Sequence, residues 1–253
     1  MGDRVMAEFK DLYEQPTEIS YRFNDFAFWY PLLKRIGMRT PKSNIIHTDI
    51  ELVGLLEGEM PDGYSTFLCS LWEAVVRMGL PCILRTGQLS NKHGWEGSCY
   101  LDDVKKLSAH VGDLVETSCM ANIAGKPFPY STWVVRELIP TIPLFYAFYG
   151  KMPITREFRF FIQAGKVQCY HPYWPAEAFE NQPDDDWKTH IDTLQAISDD
   201  DLKELTLMAD YVAGYFEGYW SVDFLQASDG KWWLIDVALG SNSYHWRDCK
   251  FNT

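Results

Sequence analysis

Apolar residues recur every three or four positions in several segments, the spacing that places them on one face of a helix. Residues 64–81, YSTFLCSLWEAVVRMGLP, show this spacing and end on glycine and proline, which stop helices. Residues 198–216 show it again, with Ser198 as N-cap and acidic residues in the first turn. We therefore predict two helices here. Two more are predicted over residues 23–39, bent at Pro31, and residues 101–116, capped by Asp102.

Other segments alternate between apolar and polar residues, or are apolar throughout, over the length of a strand. In EFRFFIQ, residues 157–163, Phe158, Phe160 and Ile162 should share one face of a sheet, with the charged residues on the other. Turn-forming residues predict the hairpins: Gly165-Lys166 within residues 154–172, and Asp229-Gly230 within residues 219–239. Further strands are predicted in residues 40–53, 82–85 and 131–140.

This order of elements predicts an α+β protein built from antiparallel hairpins. A length of 253 residues suits one large domain or two packed lobes. We predict a small α/β lobe over residues 1–80 and a second lobe over residues 81–253, with no linker between them.

The formal net charge of −12 argues against nonspecific nucleic-acid binding, which needs clustered Lys and Arg. We expect a cytoplasmic protein, because the first residues lack the apolar stretch of a signal peptide and no apolar run is long enough to span a membrane. The six cysteines include no C-x-x-C pair and the histidines show no ligand spacing, so no zinc ribbon or redox motif is indicated.

Two aspartates in the last hairpin suggest a metal site. With a two-residue turn at Asp229-Gly230, Asp223 lies directly opposite Asp236, and a four-residue loop makes them diagonal neighbours. A three-residue loop would place them on different faces. Two carboxylates so close need a cation between them, and Mg²⁺ is the natural candidate. The alternative is that each aspartate forms a salt bridge with a surface base.

Cations are concentrated upstream of these aspartates. Arg85 and Lys92 flank a glycine-containing stretch after the strand CILR, and Arg159 lies on the charged face of its hairpin. Arg suits bidentate contact with phosphate, and Lys contacts phosphate as a point charge. The alternatives stay open: Arg159 paired with Glu157 or with an acid across the sheet, and Arg85 and Lys92 as solvated loop charges.

Taken together, the order of these motifs resembles the ATP-grasp superfamily. It runs strand with Arg, Lys, apolar strand WVVRELI, strand EFRFF, capped helix, then two strands that each carry an Asp. The resemblance covers about residues 80–246 and is strongest to a short clade of phages and bacteria whose nucleotide lobe opens with an Arg and a Lys. The eukaryotic cell-division-cycle 123 proteins, assembly chaperones for a translation initiation factor, are more distant relatives.

The resemblance implies two antiparallel-sheet lobes that clasp ATP, preceded by a small α/β lobe. It implies phosphate contacts from Arg85 and Lys92, with Arg159 on the γ-phosphate. It implies backbone contacts from Arg136 and Leu138 to adenine, with Glu137 nearby, and contacts from Glu157 to the ribose or phosphates. Asp223 and Asp236 would hold Mg²⁺. The family's acid-x-Asn pattern is broken by Ala238, so Asn242 is the candidate replacement.

The activity that the resemblance implies is carboxylate activation as an acyl phosphate, followed by attack of an amine or thiol. The substrates would be small-molecule or peptide carboxylates and amines. The alternatives are an ATP-binding assembly chaperone and a host-interacting phage protein, each with a protein partner and without ligase turnover. The missing Asn favours these non-ligase alternatives.

Overall fold

The computed structural model describes residues 18–123, 129–182 and 186–249. Its helices are α1 (Glu18–Asn24), α2 (Phe26–Arg35), α3 (Tyr64–Met78), α4 (Leu107–Ile123), α5 (Asp186–Gln195) and α6 (Asp199–Ala213). Its strands are β1 (Ser43–His47), β2 (Cys82–Thr86), β3 (Tyr100–Leu101), β4 (Thr132–Glu137), β5 (Phe145–Ala147), β6 (Met152–Ile154), β7 (Glu157–Gln163), β8 (Lys166–Pro172), β9 (Tyr219–Gln226) and β10 (Trp232–Leu239).

The strands form two four-stranded sheets and one short hairpin. The first sheet has the order β1-β4-β2-β3 and the second sheet the order β10-β9-β7-β8, while β5 and β6 pair with each other. Neighbouring strands are antiparallel throughout. The prediction of an α+β fold with antiparallel sheets is therefore confirmed.

Each large sheet buries one face against helices. In the second sheet, Phe158, Phe160 and Ile162 of β7 lie in a core with residues of α2 and α6, which confirms the predicted alternation. In the first sheet, Trp133 and Val135 of β4 pack in another core with residues of α3 and α4. The opposite faces of the two sheets are thus left to meet each other.

The first 80 residues contribute to both cores. Helix α2 packs in the core of the second sheet, whereas β1 pairs with β4 and α3 packs on the first sheet. The division into residues 1–80 and 81–253 stays a prediction. No helix among the residues described has the length and apolar character needed to span a bilayer.

Three local details differ from the sequence predictions. The β7–β8 turn is Ala164-Gly165 rather than Gly165-Lys166, because Gln163 pairs with Lys166 and both turn residues have positive φ, as a type I′ turn requires. The cap before α4 is Asp103 rather than Asp102: its carboxylate accepts from the Lys105 N–H at 2.9 Å. In the segment 23–39, α1 ends at Asn24 and α2 runs from Phe26 to Arg35, with Asp25 between them as the cap of α2.

The turn after β2 is packed against the β5–β6 hairpin without room for a side chain. This turn is the 3₁₀ segment Lys92–Gly97, and the Gly150 N–H donates to the His93 carbonyl at 3.0 Å. A methyl group at Gly150 would overlap the backbone carbonyl of Gly94. The position of Lys92 therefore depends on a glycine contact almost 60 residues later in the chain.

We expect Gly150→Ala to lower the free energy of unfolding by about 1–3 kcal/mol, the usual cost of overpacking. Gly112→Ala is the matched control, because a methyl group there meets nothing within 4 Å and Gly112 lies inside α4. It should raise stability by up to about 1 kcal/mol. Urea unfolding followed by circular dichroism measures both, and equal changes would contradict the packing argument.

Candidate functional site

A cavity of about 450 Å³ lies between the faces of the two large sheets that point toward each other. Eight of the sequence-predicted site residues line it: Arg85, Lys92, Arg136, Glu137, Leu138, Glu157, Asp223 and Asp236. The two others, Arg159 and Asn242, are not among the lining residues. The structure thus brings together side chains from β2, β4, β7, β9, β10 and the turn that follows β2.

The two aspartates are direct cross-strand partners, but by a different route from the one predicted. The Ala227 N–H donates to the Lys231 carbonyl, so the loop holds three residues, the length expected to separate the aspartates. A β-bulge between Leu234 and Asp236 inserts one residue and restores the pairing of Asp223 with Asp236. The bulge therefore places both carboxylates on the cavity side.

Asp223 is held by an arginine on the neighbouring strand. Arg159 lies opposite Asp223 in the β7–β9 register and makes two 2.7 Å hydrogen bonds, one to each carboxylate oxygen. Burial alone would lower the pKa of Arg159, but Asp223 raises it above its usual value, so the guanidinium stays charged. This is the alternative noted from the sequence, an arginine paired with an acid across the sheet.

Asp236 is paired with the opposite sheet. The Arg85 Nη1 atom lies 3.3 Å from Asp236 Oδ1, so this contact joins β2 of the first sheet to β10 of the second. The Arg85 side chain is nearly fully buried, whereas that of Asp236 is 38% exposed. Asp236 therefore keeps carboxylate lone pairs available to the cavity.

Lys92 is enclosed by a carboxylate and two aromatic rings. Its Nζ atom lies 3.7 Å from Glu157 Oε1, 3.7 Å from the centre of the Tyr173 ring and 4.6 Å from that of Trp174. Burial alone would lower the pKa of Lys92, but Glu157 and Tyr173 raise it above its usual value. Burial raises the pKa of Glu157 to about 7, against the opposing effect of Lys92.

Arg136 contributes a feature that the sequence did not reveal. Its side chain is buried and lines the cavity beside Arg85. Burial and then the like charge of Arg85 lower the pKa of Arg136 to about 10. Two guanidinium groups held side by side repel each other, and an anion placed between them would relieve that repulsion. The alternation of β4, with Val134 in the core of the second sheet, was the available signal for this orientation.

Comparison with known protein families identifies the family of this chain. The profile of the ATP-grasp domain, R₂K clade family 3, matches residues 77–250. The chain belongs to this ATP-grasp family. The resemblance drawn from the order of its motifs is thereby confirmed.

Solved structures agree on the fold. C-terminally truncated Cdc123 from Schizosaccharomyces pombe is similar with a TM-score of 0.55 at 16% identity, over 88% of this chain and 86% of that one. An ATP-grasp RimK domain protein from Sphaerobacter thermophilus DSM 20745 gives 0.51 at 11% identity, over 89% of this chain and 63% of that one. At such identities the likeness shows the fold alone. The search of curated proteins gave no match.

The strand that leads into the ATP-grasp cavity leaves one residue with unused backbone groups. At the end of β4 the Glu137 N–H donates to the Lys42 carbonyl at 2.8 Å, on the β1 side. Successive strand residues point their backbone groups to opposite sides, so those of Leu138 point away from β1. Among the described residues they have no hydrogen-bond partner. Arg136 differs: it pairs with Ser43 and Ile83, so its backbone lies within the sheet.

Asn242 is not among the residues that line the cavity. It ends the 3₁₀ turn Gly240–Asn242, is exposed, and accepts a hydrogen bond from the Ser241 hydroxyl at 3.1 Å. The turn follows β10 directly and directs this side chain to the surface rather than into the cavity. The carboxylates of Asp223 and Asp236 face the cavity from β9 and β10.

We expect the raised pKa of Glu157 to give the unliganded protein a stability term that decreases with pH. Because the folded chain binds this proton more tightly than the unfolded chain, the term is complete below pH 4.5 and is lost as pH rises to about 7. Glu157→Gln cannot titrate. Its unfolding free energy relative to wild type should therefore rise between pH 5 and 7, by up to about 1.4 kcal/mol per pH unit.

Chemical unfolding at a series of pH values measures this difference. Glu73→Gln is the control, since Glu73 is an exposed carboxylate on α3 that pairs only with the exposed Arg77 in the described contacts. It should reproduce the wild-type pH profile. A constant difference between Glu157→Gln and wild type would contradict the raised pKa.

Proposed function

We propose that this chain is a Mg-ATP-dependent ligase that activates a carboxylate as an acyl phosphate for attack by an amine or thiol. The observation that carries this is the convergence of Arg85, Arg136 and Lys92 on one cavity, opposite Asp223 and Asp236. Three cations suit a polyphosphate, and two facing carboxylates suit the metal that accompanies it.

The charged residues present fit a metal-bound triphosphate. Asp223 and Asp236 would hold Mg²⁺, which would neutralise charge on the phosphates during transfer. Arg85, Arg136 and Lys92 would bind the phosphate oxygens. A phosphate could replace Asp236 as the partner of Arg85 and Glu157 as the partner of Lys92. It would also reduce the repulsion between Arg136 and Arg85.

The apolar end of the same cavity fits a nucleoside base. The free N–H and C=O of Leu138 offer one donor and one acceptor to the edge of adenine, which presents the complementary pair. Ile83, Ile139 and Ile235 line the cavity around them and supply apolar surface for the ring. The base would then lie against the end of β4, with the phosphates extending toward Lys92.

The proposed reaction needs no nucleophile from the protein. A carboxylate oxygen of the substrate takes the γ-phosphoryl group, ADP leaves, and the amine or thiol then displaces phosphate from the carbonyl carbon and loses its proton. Cys99 lines the cavity, but burial raises the pKa of its thiol to about 12, so it stays protonated. The bound cations stabilise the charge that moves between phosphate oxygens.

A second candidate is an ATP-binding assembly factor without ligase turnover. Two observations favour it: Ala238 occupies the position of the family's metal-binding Asn, and both oxygens of Asp223 are already bonded to Arg159. The likeness to Cdc123 over most of both chains agrees with it at the level of the fold. In that case the protein partner, rather than a small acceptor, would respond to the bound nucleotide.

We expect Lys92→Met and Asp236→Asn each to weaken Mg-ATP binding at least about tenfold, because charge-assisted hydrogen bonds contribute roughly 1.5–3 kcal/mol. Lys106→Met and Asp102→Asn are matched controls, since these two residues form an exposed ion pair of 2.7 Å away from the cavity. They should bind as wild type does. Titration calorimetry measures all four, and unchanged affinity in both folded site variants would contradict the site.

We expect the chain to release ADP only when a carboxylate and an acceptor amine or thiol are both present. The measurement is steady-state ADP production across a panel of amino acids, peptides and polyamines, with mass spectrometry of the products. Lys92→Met should remove the signal. Tight Mg-ATP binding with no turnover in any combination would favour the assembly factor instead.

A further inference from the structure

A second cluster of ligand-type side chains lies on the outer part of the second sheet, and the proposed function does not use it. Cys169 comes from β8, and His245 and Cys249 come from the segment after β10. One ligand atom from each residue lies within 4.8 Å of the other two, and all three residues are half-buried. Among the described residues, it is the one group of three His, Cys, Asp or Glu side chains close enough to hold a single metal ion.

The three ligand atoms are close enough together to share one small ion. The Cys169 Sγ and His245 Nε2 atoms are 3.2 Å apart. Around a tetrahedral zinc ion, sulfur and nitrogen ligands are about 3.5 Å apart and two sulfurs about 3.8 Å, from bond lengths of about 2.3 and 2.0 Å. The Cys169–His245 separation is about 0.3 Å below the tetrahedral value, and the Cys249 Sγ atom lies within 4.8 Å of both other ligand atoms, so movements of up to about 1 Å would reach that geometry.

The imidazole of His245 is oriented by its surroundings. Its Nδ1 atom lies 3.3 Å from the Tyr219 hydroxyl, and the ring stacks on Phe161 with ring centres 4.0 Å apart. These contacts direct Nε2 toward Cys169. A polar partner on the second ring nitrogen is the usual arrangement for a metal-bound histidine, because it fixes the ring and the tautomer.

The second sulfur is brought in by a turn. The Cys249 N–H donates to the Trp246 carbonyl at 3.1 Å, which folds the chain back so that Cys249 faces β8. The spacing is H-x₃-C on the C-terminal segment and a single Cys on the strand, which lacks the paired C-x-x-C signature that sequence inspection can recognise. Only the fold places the three residues together.

We propose that Cys169, His245 and Cys249 bind a zinc ion. Two thiolates and an imidazole favour Zn²⁺ over the hard cations Mg²⁺ and Ca²⁺, which prefer oxygen ligands. Water or the nearby His171, whose ring centre lies 5.5 Å from that of His245, would complete the tetrahedron. The ion would fix the segment of Tyr244, whose carbonyl accepts a hydrogen bond from Arg159 at 3.3 Å.

The test is metal binding by the full chain, purified under reducing conditions and stripped of metal. We expect one equivalent of Zn²⁺ by elemental analysis, and a thiolate-to-cobalt charge-transfer band when Co²⁺ is used instead. Zinc should also raise the thermal unfolding midpoint, since a ligand that binds only the folded state stabilises it. Cys169→Ser and Cys249→Ser should each weaken binding at least about tenfold.

Cys69→Ser is the matched control, because Cys69 is exposed on α3 and outside the cluster. It should keep the full zinc affinity. If a cysteine variant does not fold, His245→Gln tests the same site without changing a thiol. Wild-type chain that binds no zinc, or that binds it equally in the folded cluster variants, overturns the proposal. So does a Cys169–Cys249 disulfide that forms in place of metal binding even with reductant present.

Discussion

A row of four charged side chains, two aspartates between two arginines, connects the two large sheets. Arg159 of β7 holds Asp223 of β9, Asp236 of β10 lies opposite Asp223, and Arg85 of β2 reaches Asp236 from the other sheet. Buried charges of this kind are stable only when each has an opposite partner, because removing one leaves another desolvated and unpaired. The helices cover the outer faces with apolar residues, whereas the facing sheets meet through this row.

The same row explains how a pre-formed cavity can take up a highly charged ligand. Arg85 and Lys92 each have a contact in the unliganded protein that a phosphate or metal could replace, with Asp236 and Glu157 respectively, whereas Arg136 is repelled by the like charge of Arg85. Binding would therefore exchange partners rather than desolvate new charges, which lowers its cost. The raised pKa of Glu157 is one sign of the imbalance that remains before this exchange, and the lowered pKa of Arg136 is another.

The sequence predicted the elements more reliably than the contacts between them. The period of Phe158, Phe160 and Ile162 identified the buried face of β7, because burial follows side-chain alternation directly. The sequence pattern predicted the pairing of Asp223 with Asp236 from a two-residue turn. The structure has a three-residue loop instead, and a bulge near Leu234 restores the pairing. The bulge has no local sequence signal, because it depends on how β9 and β10 pair, whereas the alternation of β4 carried a signal for the inward Arg136 side chain.

The position of Ala238 bears on how many metal ions the cavity would hold. Ala238 and Ser221 are cross-strand partners, and each lies two residues from the aspartate of its own strand, on the same face of the sheet. The Ser221 hydroxyl lies 2.6 Å from that of Ser243, which itself donates to the Leu239 carbonyl at 3.2 Å. The space beside the aspartates is thus occupied by hydroxyl groups bonded to one another, where the family pattern has an amide oxygen. A neutral hydroxyl is a weaker magnesium ligand than a carboxylate. We therefore expect one metal ion shared by Asp223 and Asp236, and a second ion would need its ligands from the phosphates of the nucleotide.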